Sequence, residues 1–214
     1  MKSVLIIGAG QFGAHIAKRM NELHCEVMAI DTKEERINAI LPMVTNAQIG
    51  DSTNEDFMRS LGIRDFDVCI VTIGSNFQNS LETTSLLKEL GARKVIARAQ
   101  NDVQEKFLLR NGADETVYPE KQTGIRIAIK ESSDDILDTF QIDPEVSIFE
   151  MRVPKEWNGN TIANLDIRRK YQLNIIAVRV NNRLTVPMPD MEMHTGDTIL
   201  VFGSFDALRK CFKL

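Results

Sequence analysis

Near the start of the chain, Gly8-Ala9-Gly10-Gln11-Phe12-Gly13 places three glycines at the spacing G-x-G-x-x-G, directly after an apolar run and at the head of an amphipathic stretch. In such a turn each glycine has its own use. The first admits a tight reversal, the second lets a pyrophosphate approach the backbone, and the third lets the helix lie close to the strand before it. The helix start, with Gln11 and Phe12, offers N–H groups and a positive dipole end to phosphate oxygens. Asp31 follows 18 residues after Gly13, with Thr32 beside it. A carboxylate there accepts from both ribose hydroxyls and repels a 2′-phosphate, which favours NAD-type or adenosine-type ligands over NADP.

Other candidates are more ambiguous. In Gly50-Asp51-Ser52-Thr53, Asp51 either accepts from an adenine amino group or, like Ser52, caps the next helix, and the two roles can coexist. Thr72-Ile73-Gly74-Ser75-Asn76 either admits a ligand closely at Gly74, with Ile73 and Asn76 as contacts, or starts a helix. Arg98 within a strand is paired or ligand-facing, or else reaches solvent from the strand end. Glu120 follows Pro119 in a first helical turn, where the dipole favours a carboxylate.

The elements that position these residues follow from the hydrophobic rhythm. Residues 2–118 alternate apolar runs with helical stretches, the pattern of a parallel sheet covered on both faces. Six strands are expected, at 3–7, 26–31, 47–50, 67–73, 94–99 and 115–118. With strand order 3-2-1-4-5-6, the glycine turn and the turn after the fourth strand flank the switch point where ligands collect. Ser132 to Pro144 carries Asp134, Asp135, Asp138 and Asp143 with a small apolar face of Ile136, Leu137 and Phe140, and reads as a linking helix and turn. From Glu145 the pattern becomes β-α-β-β-β-α, with one helix at 164–171, a hairpin turn at Asn181-Asn182 and a last helix at 205–212. The fold expected is therefore α/β: a Rossmann-like doubly wound domain at 1–132, a link at 133–144, and a small α+β domain at 145–214.

Composition excludes several function classes. The net charge of −4 is the wrong sign for a protein that neutralises phosphodiester backbones, so no nucleic acid is expected as partner. Residues 1–144 carry 16 basic and 22 acidic side chains, and residues 145–214 carry 10 and 8, a shift that supports two domains. The apolar runs are too short for the roughly 20 residues of a membrane span. Cys25, Cys69 and Cys211 give no disulfide framework or zinc spacing and suit a reducing cytoplasm. The remaining chemistry is sparse. A dehydrogenase needs a substrate-side acid or base, whereas the last 70 residues hold one histidine, His194, in a polar turn. The sequence thus favours a nucleotide bound without being consumed. A small NAD-dependent oxidoreductase is the first alternative, and a redox-sensing transcription regulator the second, although no basic DNA-reading module is visible.

The joint order of GAGQFG, Asp31, GDST at 50–53, TIGSNFQNS at 72–80, ARAQN at 97–101, NGADETVYPEKQTG at 111–124, LDIRRKYQLNIIAV at 165–178 and TGDTILVFG at 195–203 resembles the RCK proteins. These are the cytosolic regulators of potassium conductance of bacterial Trk and Ktr uptake systems. The resemblance implies a nonenzymatic gating subunit at the inner face of the membrane. It would bind NAD(H), ADP or ATP, form homodimers assembled into an octameric ring, and pull on a membrane-embedded potassium transporter. It further implies that Arg98 lies near the ligand, and that Glu120 approaches a neighbouring subunit's nucleotide directly or through a divalent cation, Mg or Ca. Gln11 stands where ATP-sensing Ktr-type members often carry Arg, which moves the expectation toward NAD(H) or ADP. In the second domain the resemblance places a cyclic di-AMP site at Arg168, Asn174, Ile175, Ile176 and Pro187; surface and core roles are the alternative for these residues.

Overall fold

Strand β1 (Ser3–Ile7) buries four consecutive apolar side chains, Val4 to Ile7, as a strand covered on both faces must. Leu5 and Ile7 enter one core, with Ile30, Val71 and Leu87. Val4 and Ile6 enter another, with Ala17, Ala29 and Ile37. The computed structural model describes all 214 residues, which divide into two units, Met1–Glu120 and Lys121–Leu214. No helix is long and apolar enough to cross a membrane.

In the first unit β1 is followed by α1 (Gln11–Glu22), β2 (Glu26–Asp31), α2 (Glu34–Ile40), β3 (Asn46–Ile49), α3 (Glu55–Ser60), β4 (Val68–Val71), α4 (Phe77–Glu89), β5 (Val95–Arg98), α5 (Asp102–Arg110) and β6 (Glu115–Val117). The sheet order is β3-β2-β1-β4-β5-β6, and every pairing is parallel. All six expected strands are present, each within a few residues of its expected ends. The winding reverses between β1 and β4, so the turns after Ile7 and Val71 open a crevice at the carboxyl edge of the sheet. Helix α6 (Pro119–Lys130) follows β6.

The second unit holds a five-stranded antiparallel sheet ordered β10-β9-β11-β8-β7. Its strands are β7 (Ile136–Gln141), β8 (Ser147–Arg152), β9 (Asn174–Val180), β10 (Arg183–Thr185) and β11 (Thr198–Gly203). Helices α7 (Ile162–Leu165) and α8 (Ile167–Tyr171) precede β9, and α9 (Phe205–Phe212) closes the chain. Asn181 and Asn182 both take positive φ, 48° and 65°, as the tight hairpin turn requires.

Two expectations need correction. The segment read as a linking helix at 133–144 is strand β7 and its turn. A register shift between Ile136 and Asp138 takes Leu137 out of alternation, so Ile136 and Thr139 are both buried at odd spacing and the period-two signal is lost. Asp143 closes the turn to β8, its Oδ1 accepting the backbone N–H of Glu145 and of Val146 at 2.8 Å each. The single helix read at 164–171 is two short helices broken at Asp166, whose φ is +48°.

Helix α6 meets β7 through one ion pair. Arg126 donates to Asp138 from Nε at 2.8 Å and from Nη2 at 2.5 Å, and its guanidinium stacks on Phe140 at 5.0 Å. The Arg126 hydrogen bond holds the Asp138 carboxyl below its ordinary value of 3.8, opposing the burial that would raise it. A carboxyl lowered in the folded state contributes stability above its unfolded pKa, and loses it as pH falls through the folded value. Asp138→Asn is therefore expected to cost stability near neutral pH, and the difference from the parent chain to begin shrinking only as pH falls below about 4 and to vanish below the lowered folded value, which thermal melts across that range will read.

Candidate functional site

The turn between β1 and α1 is held from three sides. Gly8 has φ +100°, and a Cβ on it would meet Thr72 Oγ1 at 3.0 Å. A Cβ on Gly13 would lie 2.1 Å from the Gly8 carbonyl oxygen and 2.8 Å from Thr72 Oγ1, so the third glycine is imposed by close packing. The Thr72 hydroxyl lies 2.5 Å from the Gly8 carbonyl and 3.1 Å from that of Ile7. The Ala9 N–H donates to Asp31 Oδ2 at 2.8 Å. Gly10 differs from its neighbours. Its φ is −74°, nothing lies within 4 Å of a Cβ built on it, and no contact within the protein requires a glycine there.

This turn forms one wall of a crevice of about 470 Å³. Of the residues expected from sequence, Gly8, Gly10, Gln11, Phe12, Asp31, Thr32, Asp51, Ser52, Ile73, Gly74, Asn76 and Arg98 all line it. Gly13 does not line it and serves packing. Glu120 is not part of the lining; it is the exposed ion-pair partner of Arg98, which is.

The functional side chains differ in how far the protein already occupies them. Asp31 is only 7% exposed. Its Oδ2 accepts from Ala9 and lies 3.3 Å from Arg36 Nη1, while its Oδ1 accepts from the Lys33 N–H at 2.9 Å. With two lone pairs per oxygen, Oδ1 keeps an acceptor position for a ribose hydroxyl. Asp51 Oδ1 accepts from the N–H and the hydroxyl of Thr53, and Ser52 Oγ lies 2.7 Å from Thr83 Oγ1. Neither caps α3, whose cap is Asn54, accepting the Phe57 N–H at 2.9 Å. Asn76 caps α4 through the Asn79 N–H at 3.2 Å. Arg98 is 19% exposed at its side chain. Its Nη2 donates to Glu120, and its guanidinium carbon lies 5.4 Å from the Phe12 ring centre. Glu120 lies below the usual carboxylate range chiefly because its own backbone N–H stabilises the charge; burial opposes this, and Arg98 adds to the lowering.

Sequence reasoning missed Lys33, Arg36, Asn79 and Gln100, which also line the crevice. Lys33 and Arg36 carried a readable signal, since two cations stand within five residues of the Asp31 carboxylate and Arg36 pairs with it. Asn79 and Gln100 lie within the stretches 72–80 and 97–101, but nothing in their spacing singled them out.

In the second unit a hollow of about 890 Å³ is lined by Arg168, Asn174, Ile175 and Pro187, along with Arg169 and Lys170. Ile176 is not part of it. Strand alternation turns it to the other face of β9, where it is 37% exposed.

Two family models match the chain: the TrkA-N domain over residues 4–119 and the TrkA-C domain over residues 148–214. The Ktr system potassium uptake protein C of Bacillus subtilis (strain 168) is 41% identical over 204 residues, 95% of this chain and 92% of that protein. The Ktr system potassium uptake protein A of the same organism is 36% identical over 203 residues, covering 94% and 91%. Among solved structures, the GsuK channel bound to NAD aligns with all of this chain at a TM-score of 0.54 and 21% identity. The chain spans only 38% of that channel's length. The TrkA-N domain of inner membrane protein ybaL from Escherichia coli aligns with 62% of this chain and 97% of its own length, at a TM-score of 0.56 and 20% identity.

The glycines separate stability from binding. Gly13→Ala drives a methyl into the Gly8 carbonyl and is expected to destabilise the chain by about 1–3 kcal/mol, read as a lower melting temperature. Gly10→Ala exchanges one N-cap residue for a poorer one, at a cost of about 1 kcal/mol or less. It is expected to weaken binding of an adenine nucleotide at least tenfold, through the methyl it places against a pyrophosphate.

Proposed function

This chain belongs to the family that joins a TrkA-N domain to a TrkA-C domain, and from that membership we propose that it is a nucleotide-binding regulatory subunit of a potassium uptake system. It works in the cytosol, on the inner face of the membrane, through a membrane-embedded transporter partner. The relatives named as Ktr system potassium uptake proteins, similar over more than nine-tenths of both chains, support this assignment.

The observation that carries the ligand reading is a convergence. The glycine turn, the Asp31 carboxylate and the Gly74–Arg98 wall all meet in one crevice at the switch point of a parallel sheet. A pyrophosphate on the α1 N-terminus, a ribose on Asp31 Oδ1 and an adenine beside Asp51 fit NAD(H), ADP or ATP. The titratable side chains of the crevice, Asp31, Lys33, Arg36, Asp51 and Arg98, are suited to recognition. That supports a ligand that signals and is not turned over. Coupling to the transporter requires the ligand to bind two states of the assembly with different affinity. A homodimer closing into an octameric ring is the assembly we infer. There Glu120 meets a neighbouring subunit's nucleotide, through Mg or Ca when the ligand is ATP. In the second unit, Arg168 with Asn174, Ile175 and Pro187 suits cyclic di-AMP, the arginine pairing with a phosphate.

A thermal-shift series tests these readings. NAD, NADH, ADP and ATP are each added at about one hundred times their dissociation constant, which adds about 2.7 kcal/mol of stability. At least one is expected to raise the melting temperature by several degrees, while NADH absorbance stays constant. Asp31→Asn is expected to abolish that shift, and Arg168→Ala to abolish only a shift caused by cyclic di-AMP. No shift with any of the four, or steady loss of NADH absorbance, would remove the proposal.

A further inference from the structure

The wall of the crevice around Gly74 has features that the glycine turn does not explain. A Cβ built on Gly74 would lie 3.1 Å from Arg98 Nη1 and 3.3 Å from Gln100 Nε2. Bare backbone is therefore faced there by a guanidinium and a side-chain amide. The guanidinium also stands over Phe12 at 5.4 Å, beside the first turn of α1. Of its five N–H groups, the one on Nε is buried without a hydrogen-bond partner, and Nη2 donates to a single oxygen of Glu120. The two partners are unequally placed. The Arg98 side chain is 19% exposed and the Glu120 side chain 55%, so the carboxylate can return to water at little cost and the cation cannot.

We propose that Glu120 is a tethered stand-in for a ligand anion: it neutralises Arg98 until a phosphate of a bound nucleotide takes the guanidinium and sets the carboxylate free. This rests on the nucleotide reading and adds to it how the site is regulated. A phosphate offers several acceptor oxygens and can engage a guanidinium at two points, against the one-point contact of Glu120. The exchange therefore favours a ligand whose phosphate chain extends to Gly74, and gives nothing to a bare nucleoside. Arg98 thus reads the length of the phosphate chain. Glu120 is the second residue of α6, a helix whose later residues belong to the second unit, so the exchange cuts an ion pair between the end of β5 and the first turn of that helix.

The test is calorimetric titration of the full chain with ATP and with adenosine, in EDTA so that no divalent cation recruits Glu120. Glu120→Gln removes the competing charge and keeps the shape. It is expected to tighten ATP about two- to fivefold, the scale of a half-exposed ion pair, and to leave adenosine unchanged. In an Arg98→Ala background the same substitution is expected to do nothing. If Arg98→Ala loses its cooperative melt, Arg98→Lys takes its place, and the gain from Glu120→Gln is then expected to fall below twofold. ATP bound no more tightly by Glu120→Gln, an equal gain for adenosine, or a full gain without Arg98 would each overturn the exchange while leaving the nucleotide reading intact. A parent chain that binds neither ligand overturns both.

Discussion

The crevice depends on fixing a short piece of backbone that no regular structure holds. Between Ile7 and Gln11 the chain has left β1 and has not yet entered α1, and its polar groups are held by neighbours. The Thr72 hydroxyl shares its one proton between the Gly8 and Ile7 carbonyls, the Gly8 N–H donates to the Ile30 carbonyl at 2.8 Å, and the Ala9 N–H donates to Asp31. Those ties come from β4 and β2, the two neighbours of β1 in the sheet. The turn is therefore already set before any phosphate arrives, and a ligand need not spend binding energy on ordering it. Gly13 completes the arrangement, because without its bare Cα the helix could not come near the Gly8 carbonyl.

Asp31 shows how sequence reasoning could place a residue on the crevice and yet miss part of what it does for the fold. Its position at the end of β2, 18 residues beyond Gly13 and on the crevice wall, was legible. That the same carboxylate also anchors the turn was not, because the Ala9 N–H it accepts is 22 residues away and becomes a neighbour only when β1 and β2 pair. Arg36 was missed for a different reason: it stands only five residues from Asp31, but the contact depends on how α2 starts. The first sheet was legible because buried parallel strands appear as plain apolar runs, as in Val4 to Ile7 and Val68 to Val71. Strand β7 was hidden because one extra residue at Leu137 destroyed the alternation that would have announced it.

The charges of the first unit follow a related logic. Lys88 pairs with Asp114 at 2.9 Å, and Asp114 Oδ2 also accepts the Val95 N–H at 2.7 Å, so that one ion pair pins α4 to the start of β5. Arg93 and Lys94 are spent on Asp67 and Glu115 at 3.0 and 2.8 Å. All of these lie near the amino edge of the strands and are accounted for by structure. At the opposite edge the pattern changes: Arg98 carries an unpaired buried N–H, and Asp31 keeps an open lone pair. Incomplete satisfaction of polar groups at one end of a well-satisfied sheet is what a polar ligand would complete.

The loop after β3 shows how the same rule places an individual acceptor. A helix that must approach the switch point closely cannot carry bulk on its inner face, and α4 buries Ser80, Thr83 and Thr84 there. The Ser80 hydroxyl has no hydrogen-bond partner, but the two threonine hydroxyls do. Thr84 donates to the Ser80 carbonyl at 2.7 Å, and Thr83 is matched with Ser52, which draws the Gly50-to-Thr53 loop down onto α4. With Ser52 turned inward, Asp51 is left at the rim. Its Oδ1 is used within the loop by Thr53, and Oδ2 remains for a ligand. Gly50 is required on the other side, since a Cβ there would strike the Phe57 ring at 2.1 Å. The sequence GDST therefore carries one residue for packing, one for anchorage and one carboxylate left on the crevice rim, and the buried threonine of α4 determines which is which.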